Sequence, residues 1–489
     1  MASRSTAKNL LMALGAAAAL SACGGGADRV ASPGEGAFPP APAPAPPPPP
    51  APSPAPPPAS ACPEGFSDVG TIAGQTNCRI PALVVEDTTI PYVEGVLYSL
   101  NGYTRVGEDL GGDAGNPAAN QRSATLTIEP GVTLFGSSGQ DALVINRGSK
   151  LEAVGAVDAP IVMTSRQSVE GSTNEDSIGQ WGGLVLLGRA PIANCTGGIT
   201  PGAAECEAEV EGVSGAYYGG NDANDSTGTL RYVRVMHSGF EVLPDVELNG
   251  ITLAGLGDGT TVEYVQVHNS SDDGFEWFGG TVNSRYLLAT GNDDDSFDTD
   301  TGFTGAVQFG VIVQRGQSAG SGDRGDRMAE QSAAGSTALV ANPKMVNVTF
   351  VGAPAHDNAI VANSGTHVEY YNAVVSGSSH CIEIVDPGTQ ATFESVFFSC
   401  EAPFAGDVGV AQGLFDAGSN NVAEGTSTLT DSIVNGANES GVTAADLSEV
   451  NARVGGFLQQ VDYIGAVKDA DDTWWQGGWS CGLPGTPSC

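Results

Sequence analysis

Three observations predict that this chain folds as an all-β solenoid, a parallel β-helix. Short β-branched or aromatic rows return at close spacing, no helix-period segment between them could serve as a crossover, and the sequence holds 68 glycines for turns. Leu230-Arg231-Tyr232-Val233-Arg234-Val235 is matched by Val262-Glu263-Tyr264-Val265-Gln266-Val267. Ser284-Arg285-Tyr286-Leu287-Leu288-Ala289 follows at a shorter interval, and a looser row from Val307 at nearly the same one. A strand that returns so soon without a helix stacks on its predecessor, one coil per return. The same pattern is read earlier, where the segment from Leu126 matches that from Leu143, and later, where the row from Asn347 matches that from Asn372.

The elements fall in a definite order. Residues 1–22 read as an export signal: Arg4 and Lys8 precede an apolar run from Leu10 to Leu20 that ends in small residues. Residues 23–61 hold Cys23 and a segment of mostly Pro and Ala, which favours extended polyproline geometry and forms no core. Residues 62–401 carry the repeat, and residues 402–489 are expected to form terminal coils and a disulfide- and Trp-rich cap around Trp474, Trp475 and Trp479. After the leader, no run of eighteen apolar residues occurs that would span a bilayer as a helix.

Formal net charge is −37. Nucleic acid is therefore excluded as an expected partner. Nine cysteines are present; with Cys23 set apart, eight fall into local pairs in a chain addressed to an oxidising compartment. Proximity alone suggests Cys62 with Cys78, Cys195 with Cys206, Cys381 with Cys400 and Cys481 with Cys489.

Stacking gives aligned residues a meaning, since neighbours in register lie about 4.8 Å apart. Arg231, Glu263 and Arg285 form a column of alternating charge, and Tyr232, Tyr264 and Tyr286 an aromatic stack that pins register. Asp272-Asp273-Gly274-Phe275-Glu276 returns one short interval later as Asp294-Asp295-Ser296-Phe297-Asp298. Phe275 over Phe297 reads as core. Glu276 over Asp298, Asp272 and Asp273 over Asp294 and Asp295, with Asp300 beyond, would stack like charges, which destabilises unless a counter-ion intervenes. A hard cation with six to eight oxygen ligands, such as Ca²⁺, resolves the repulsion. The competing reading is acidic turns facing water and screened by salt. Asn221, Asp222, Asn224 and Asp225 make a weaker acidic cluster, and His356, His367 and His380 are scattered.

Two resemblances sharpen these expectations. Leu20-Ser21-Ala22-Cys23 resembles the lipobox of bacterial lipoproteins, which implies a lipid-bearing Cys23 and, with Gly24 following, the outer membrane. Gln180-Trp181-Gly182-Gly183-Leu184-Val185-Leu186-Leu187-Gly188-Arg189-Ala190-Pro191-Ile192, Tyr218-Gly219-Gly220-Asn221-Asp222 and Asp462-Tyr463-Ile464-Gly465-Ala466 resemble a family of secreted and surface-anchored right-handed β-helix proteins of Gram-negative bacteria. The chain is also similar, less specifically, to surface lipoproteins linked with nutrient scavenging and outer-membrane uptake receptors. Together these imply a lipid-anchored surface protein that binds a nutrient, a glycan or a receptor partner rather than an enzyme. The alternative is a Ca²⁺-dependent polysaccharide lyase or glycoside hydrolase, with Asp272, Asp273, Asp294, Asp295, His268 and Arg285 as candidate catalytic residues. The Gly-x-Ser-x-Gly nucleophile turn is not found in the strand-to-helix context that it needs.

Overall fold

A computed structural model describes residues 61–244, 246–315, 329–331, 338–353 and 357–489. The export signal, Cys23 with its Pro/Ala spacer, and His356 lie outside the described residues. The described chain is a parallel β-helix: among its residues, one sheet has 17 strands and a second has 11, all parallel except for the first hairpin.

Gly228–Met236 pairs in parallel with Thr261–His268, and the ladder continues through Ser284–Thr290, Ala306–Val313 and Lys344–Val351. Leu230, Val262, Ser284 and Val307 share one register, as the rows predict. The later match also holds: Thr349 in the row from Asn347 lies opposite Val374 in the row from Asn372. The early match between the segments from Leu126 and Leu143 does not. Leu126 stacks on Leu151 in the longer sheet, whereas Leu143 sits between Thr104 and Leu184 in the shorter one. Both segments turn a Leu-x-Ile pair into the core, Leu126 with Ile128 and Leu143 with Ile145, so pattern alone did not tell one face from the next.

Each long strand bends at a single residue. Tyr232, Tyr264, Tyr286 and Phe309 have φ of 52, 54, 59 and 60°, and the ladder skips them. Left-handed backbone costs a non-glycine residue about 1–2 kcal/mol. Stacking offsets that cost: consecutive ring centroids lie 4.8, 4.4 and 5.0 Å apart. Farther along, Asn347 and Asn372 take the bend with φ of 50 and 54°, and asparagine tolerates this region better than most residues.

The two ends are closed differently. Ser67–Ile72 and Gln75–Arg79 form an antiparallel hairpin at the start. The coils run to Ala402–Gly406, just past the expected boundary at 401, and the helix Val408–Ala417 follows, its amide at Val410 capped by Asp407. Phe415 of this helix packs on Phe393, Phe398 and Phe404 with centroids 5.3, 4.8 and 5.5 Å away. The helix thus closes the end that the tryptophans were expected to close.

Trp474, Trp475 and Trp479 belong instead to a strap that returns along the flank of the coils. Trp474 lies 5.1 Å from the Tyr286 ring, and Trp479 lies 6.1 and 5.8 Å from Tyr232 and Tyr264. The strap is held by buried side-chain amides of three rows. Gln266 exchanges two 2.8 Å hydrogen bonds with the backbone of Cys481, Gln308 bonds the backbone of Gln459 at 2.7 and 2.8 Å, and Asn347 donates to the carbonyls of Tyr463 and Gly465. An aromatic column with one bare face gains more from a lengthwise cover than from a lid at the end. The eight cysteines form disulfides Cys62–Cys78, Cys195–Cys206, Cys381–Cys400 and Cys481–Cys489, the pairs suggested by proximity.

Candidate functional site: an acidic cleft on the shorter sheet

The acidic phrase lies where one coil turns from the longer sheet into the shorter. Asn292 fixes the turn, accepting from the Ser270 amide at 3.0 Å and donating to Ser296 Oγ at 3.2 Å. Gly274 is required here, because a Cβ would lie 2.4 Å from Asn292 Nδ2 and 2.7 Å from the Ser296 carbonyl. The strands Phe275–Phe278 and Phe297–Asp300 then pair in register, Phe275 on Phe297 and Glu276 on Asp298. Alternation along a strand sends Phe275, Trp277 and Phe297 into the core and the carboxylates outward. The Phe275 and Phe297 rings are 5.6 Å apart, edge to face.

Outside the strands the carboxylates converge on a cleft of about 320 Å³ lined by Glu211, Glu247, Asn249, Asp272, Asp273, Glu276, Asp294, Asp295, Asp298 and Glu330. Two triads stand out, Asp272 with Asp273 and Asp294, and Asp273 with Glu276 and Asp298; within each, one oxygen per residue lies within 4.8 Å of the others. Asp273 belongs to both. Burial, followed by the charge of neighbouring carboxylates, pushes Asp272, Asp273, Glu276 and Asp298 well above the ordinary carboxylate range. Asn249 donates to Glu276, while the buried Oδ1 of Asp298 has no hydrogen-bond partner. Seven carboxylates singled out from sequence are thus placed on the same turn and strand pair, and six of them line the cleft. Asp300 does not line it; it stands farther along the strand, where its charge acts on Tyr218.

The other candidates for catalysis are elsewhere. Arg285 is on the longer sheet, 2.5 Å from Glu263 and 5.1 Å over the Phe457 ring. His268 lines a separate cavity. Sequence reading missed Glu211, Glu247 and Glu330. Glu330 lies opposite Asp298 in the ladder, but after a longer stretch of chain than the return from Glu276 to Asp298 foretells. The weaker cluster is a structural turn: Asp225 accepts from the Arg189 amide at 2.9 Å and Asp222 from the Asn224 amide at 3.0 Å.

The family model described as "Pectate-lyase like beta helix domain" matches residues 115–480. No curated protein matches the sequence significantly. Among solved structures, the chain is similar to the catalytic domain of a GH87 α-1,3-glucanase in complex with nigerose. That similarity has 10% identity and a TM-score of 0.28, and covers 70% of this chain and 68% of the glucanase domain. A likeness this weak says nothing about chemistry.

Proposed function

The chain belongs to the pectate-lyase-like β-helix domain family, and on that premise we propose that it is a binding protein whose acidic cleft takes up a hard divalent cation, Ca²⁺ first among them. The observation that carries this reading is the pair of carboxylate triads sharing Asp273. Carboxylates forced together and raised in pKa are costly in a folded chain, and a cation with oxygen ligands turns that cost into affinity. The donor set fits, being hard oxygen throughout, with Asp298 Oδ1 buried and lacking a hydrogen bond. The residues named for the ion are Asp272, Asp273, Glu276, Asp294, Asp295 and Asp298.

A cation held at a cleft mouth keeps coordination positions for an anionic group, so a glycan, an acidic nutrient or an uptake receptor is the kind of partner that this arrangement serves. The export signal, the lipobox-like Cys23 and the proline-rich spacer support a lipid-anchored protein held away from an outer-membrane surface. Calorimetric titration of Ca²⁺ into chelator-treated protein tests the reading, with thermal melting alongside. Binding with a melting temperature raised by several degrees is expected; absence of both ends the proposal.

A second reading, a cation-dependent lyase or hydrolase, draws on the family's description. Against it, Arg285 lies on the longer sheet and His268 lines another cavity, so neither lines the acidic cleft. New reducing ends or unsaturated product from acidic polysaccharide with Ca²⁺ would favour it over simple binding.

A further inference from the structure

A second cavity, of about 500 Å³, shares no residue with the acidic cleft. Its walls come from three places: the loop Thr173 to Glu175, the strand ends and turns that carry His237, His268, Thr290 and Arg315, and the disulfide-closed loop of Gly482 and Cys489. Gly482 is needed at this wall, since a Cβ would lie 3.0 Å from Cys489 Sγ and 3.4 Å from His268 Cε1. Two histidines and Arg315 meet here, with Glu175 on the facing loop and Asp293 paired to Arg315.

The two imidazoles stand edge to face with centroids 6.0 Å apart. His237 is 2% exposed; its Nδ1 lies 2.6 Å from the Ser177 carbonyl and so carries the proton, while its buried Nε2 has no partner. His268 Nδ1 meets Thr290 Oγ1 at 2.9 Å, and because that hydroxyl already accepts from Gln266 Nε2 at 3.0 Å, its own proton can go to Nδ1, which leaves Nε2–H as a donor. Arg315 bonds the Glu175 carbonyl at 2.9 Å and pairs with Asp293. The charges of Arg234 and Arg315 disfavour a metal cation at the bare nitrogen, and once that nitrogen is protonated the pair of rings suits a ligand that brings negative charge.

We propose that this cavity is a ligand site for a small organic molecule bearing an oxyanion, with Arg315 as its charge partner and the two histidines as hydrogen-bond donors. The volume exceeds that of a lone inorganic oxyanion, and Val313 offers the organic part an apolar wall. His268 donates as the neutral ring. His237 must first take a proton on Nε2, so binding carries proton uptake.

In the free protein both rings are held neutral. Burial lowers His237, and burial followed by the charges of His237, Arg234 and Arg315 pushes His268 down to about 3. Among the described residues, the charged groups around the pair are Arg234, Arg315, its partner Asp293, and Glu175 on the facing loop. An anion in the cavity beside the rings opposes the field of the two arginines and raises the His237 pKa in the complex. Affinity therefore rises as pH falls, by about tenfold per unit for one proton.

Sulfate is the probe of choice, because its own charge is constant across the range; inorganic phosphate serves as a second. Titration calorimetry on the full chain at pH 7.5 and 5.5 is expected to show sulfate binding at least tenfold tighter at the lower pH. Arg315→Gln should weaken binding at least tenfold at both values, and His237→Gln, whose amide donates without protonation, should bind with little pH dependence. Melting temperature and the Ca²⁺ titration of the acidic cleft report that each variant is folded. Absence of binding by both anions at both pH values in folded protein overturns the proposal. So does an Arg315→Gln variant that binds like the parent, or a pH slope that survives His237→Gln.

Discussion

Neighbouring coils treat charge in opposite ways on their two faces. On the longer sheet Arg231, Glu263 and Arg285 stack as plus, minus, plus, with Glu263 oxygens 2.5 Å from each guanidinium. On the shorter sheet Glu276, Asp298 and Glu330 stack in the same manner with one sign throughout. The first column is complete within the chain. The second carries one sign among the described residues, and on the reading proposed above a cation balances it.

The largest expected effect of breaking the comparison is on cation affinity. Asp273→Asn removes the carboxylate shared by both triads and should lower Ca²⁺ affinity by about 100-fold in calorimetry. In chelator the same variant should be more stable than the parent in denaturant melts, because it removes one buried charge from the crowded cluster. Glu263→Gln has the opposite sign: with both arginines left stacked, denaturant melts should show a loss of about 2 kcal/mol, moderated by the partial exposure of Arg231. If both substitutions destabilise the cation-free chain equally, the contrast between the faces fails.

Acid sharpens the comparison further. Asp272, Asp273, Glu276 and Asp298 have folded-state pKa values above their unfolded ones, near 4. The folded chain therefore takes up protons before the unfolded chain does, and the cleft's contribution to cation-free stability rises as pH falls from the raised values toward about 4. With Ca²⁺ bound the contribution falls over the same window, because protons displace the ion. Melting temperature against pH, for the parent minus Asp273→Asn, isolates this from carboxylates such as Glu369 and Glu439, which shift downward. The smallest change in stability is expected from Asp298→Lys, which makes the second column alternate like the first: a gain of about 0.5 kcal/mol in chelator.

Much of this contrast was legible in the sequence, because stacking converts a chain interval into a spatial neighbour. The return of the acidic phrase placed Phe275 on Phe297 and Glu276 on Asp298, and the rows gave the charge column and the tyrosine stack. Legibility ended where the interval changed or the contact was made by chain far away. Glu330 arrives after a longer loop, and Glu211 and Glu247 come from excursions outside the coils. The early match of Leu126 with Leu143 failed because segments on two different faces turn the same Leu-x-Ile pair into the core. The second cavity draws one wall from Gly482 and Cys489, near the end of the chain and far beyond His268, and no local pattern announces that meeting.

The strap has a bearing on the order of assembly. Gln266 meets Cys481 across 215 residues of chain, so the rows that receive the strap must already be wound before it finds them. A polypeptide emerging from its amino end would complete the coils first and fasten them with its final segment. A product cut short before residue 459 would leave bare the line of glutamine, asparagine and tyrosine side chains that the strap covers.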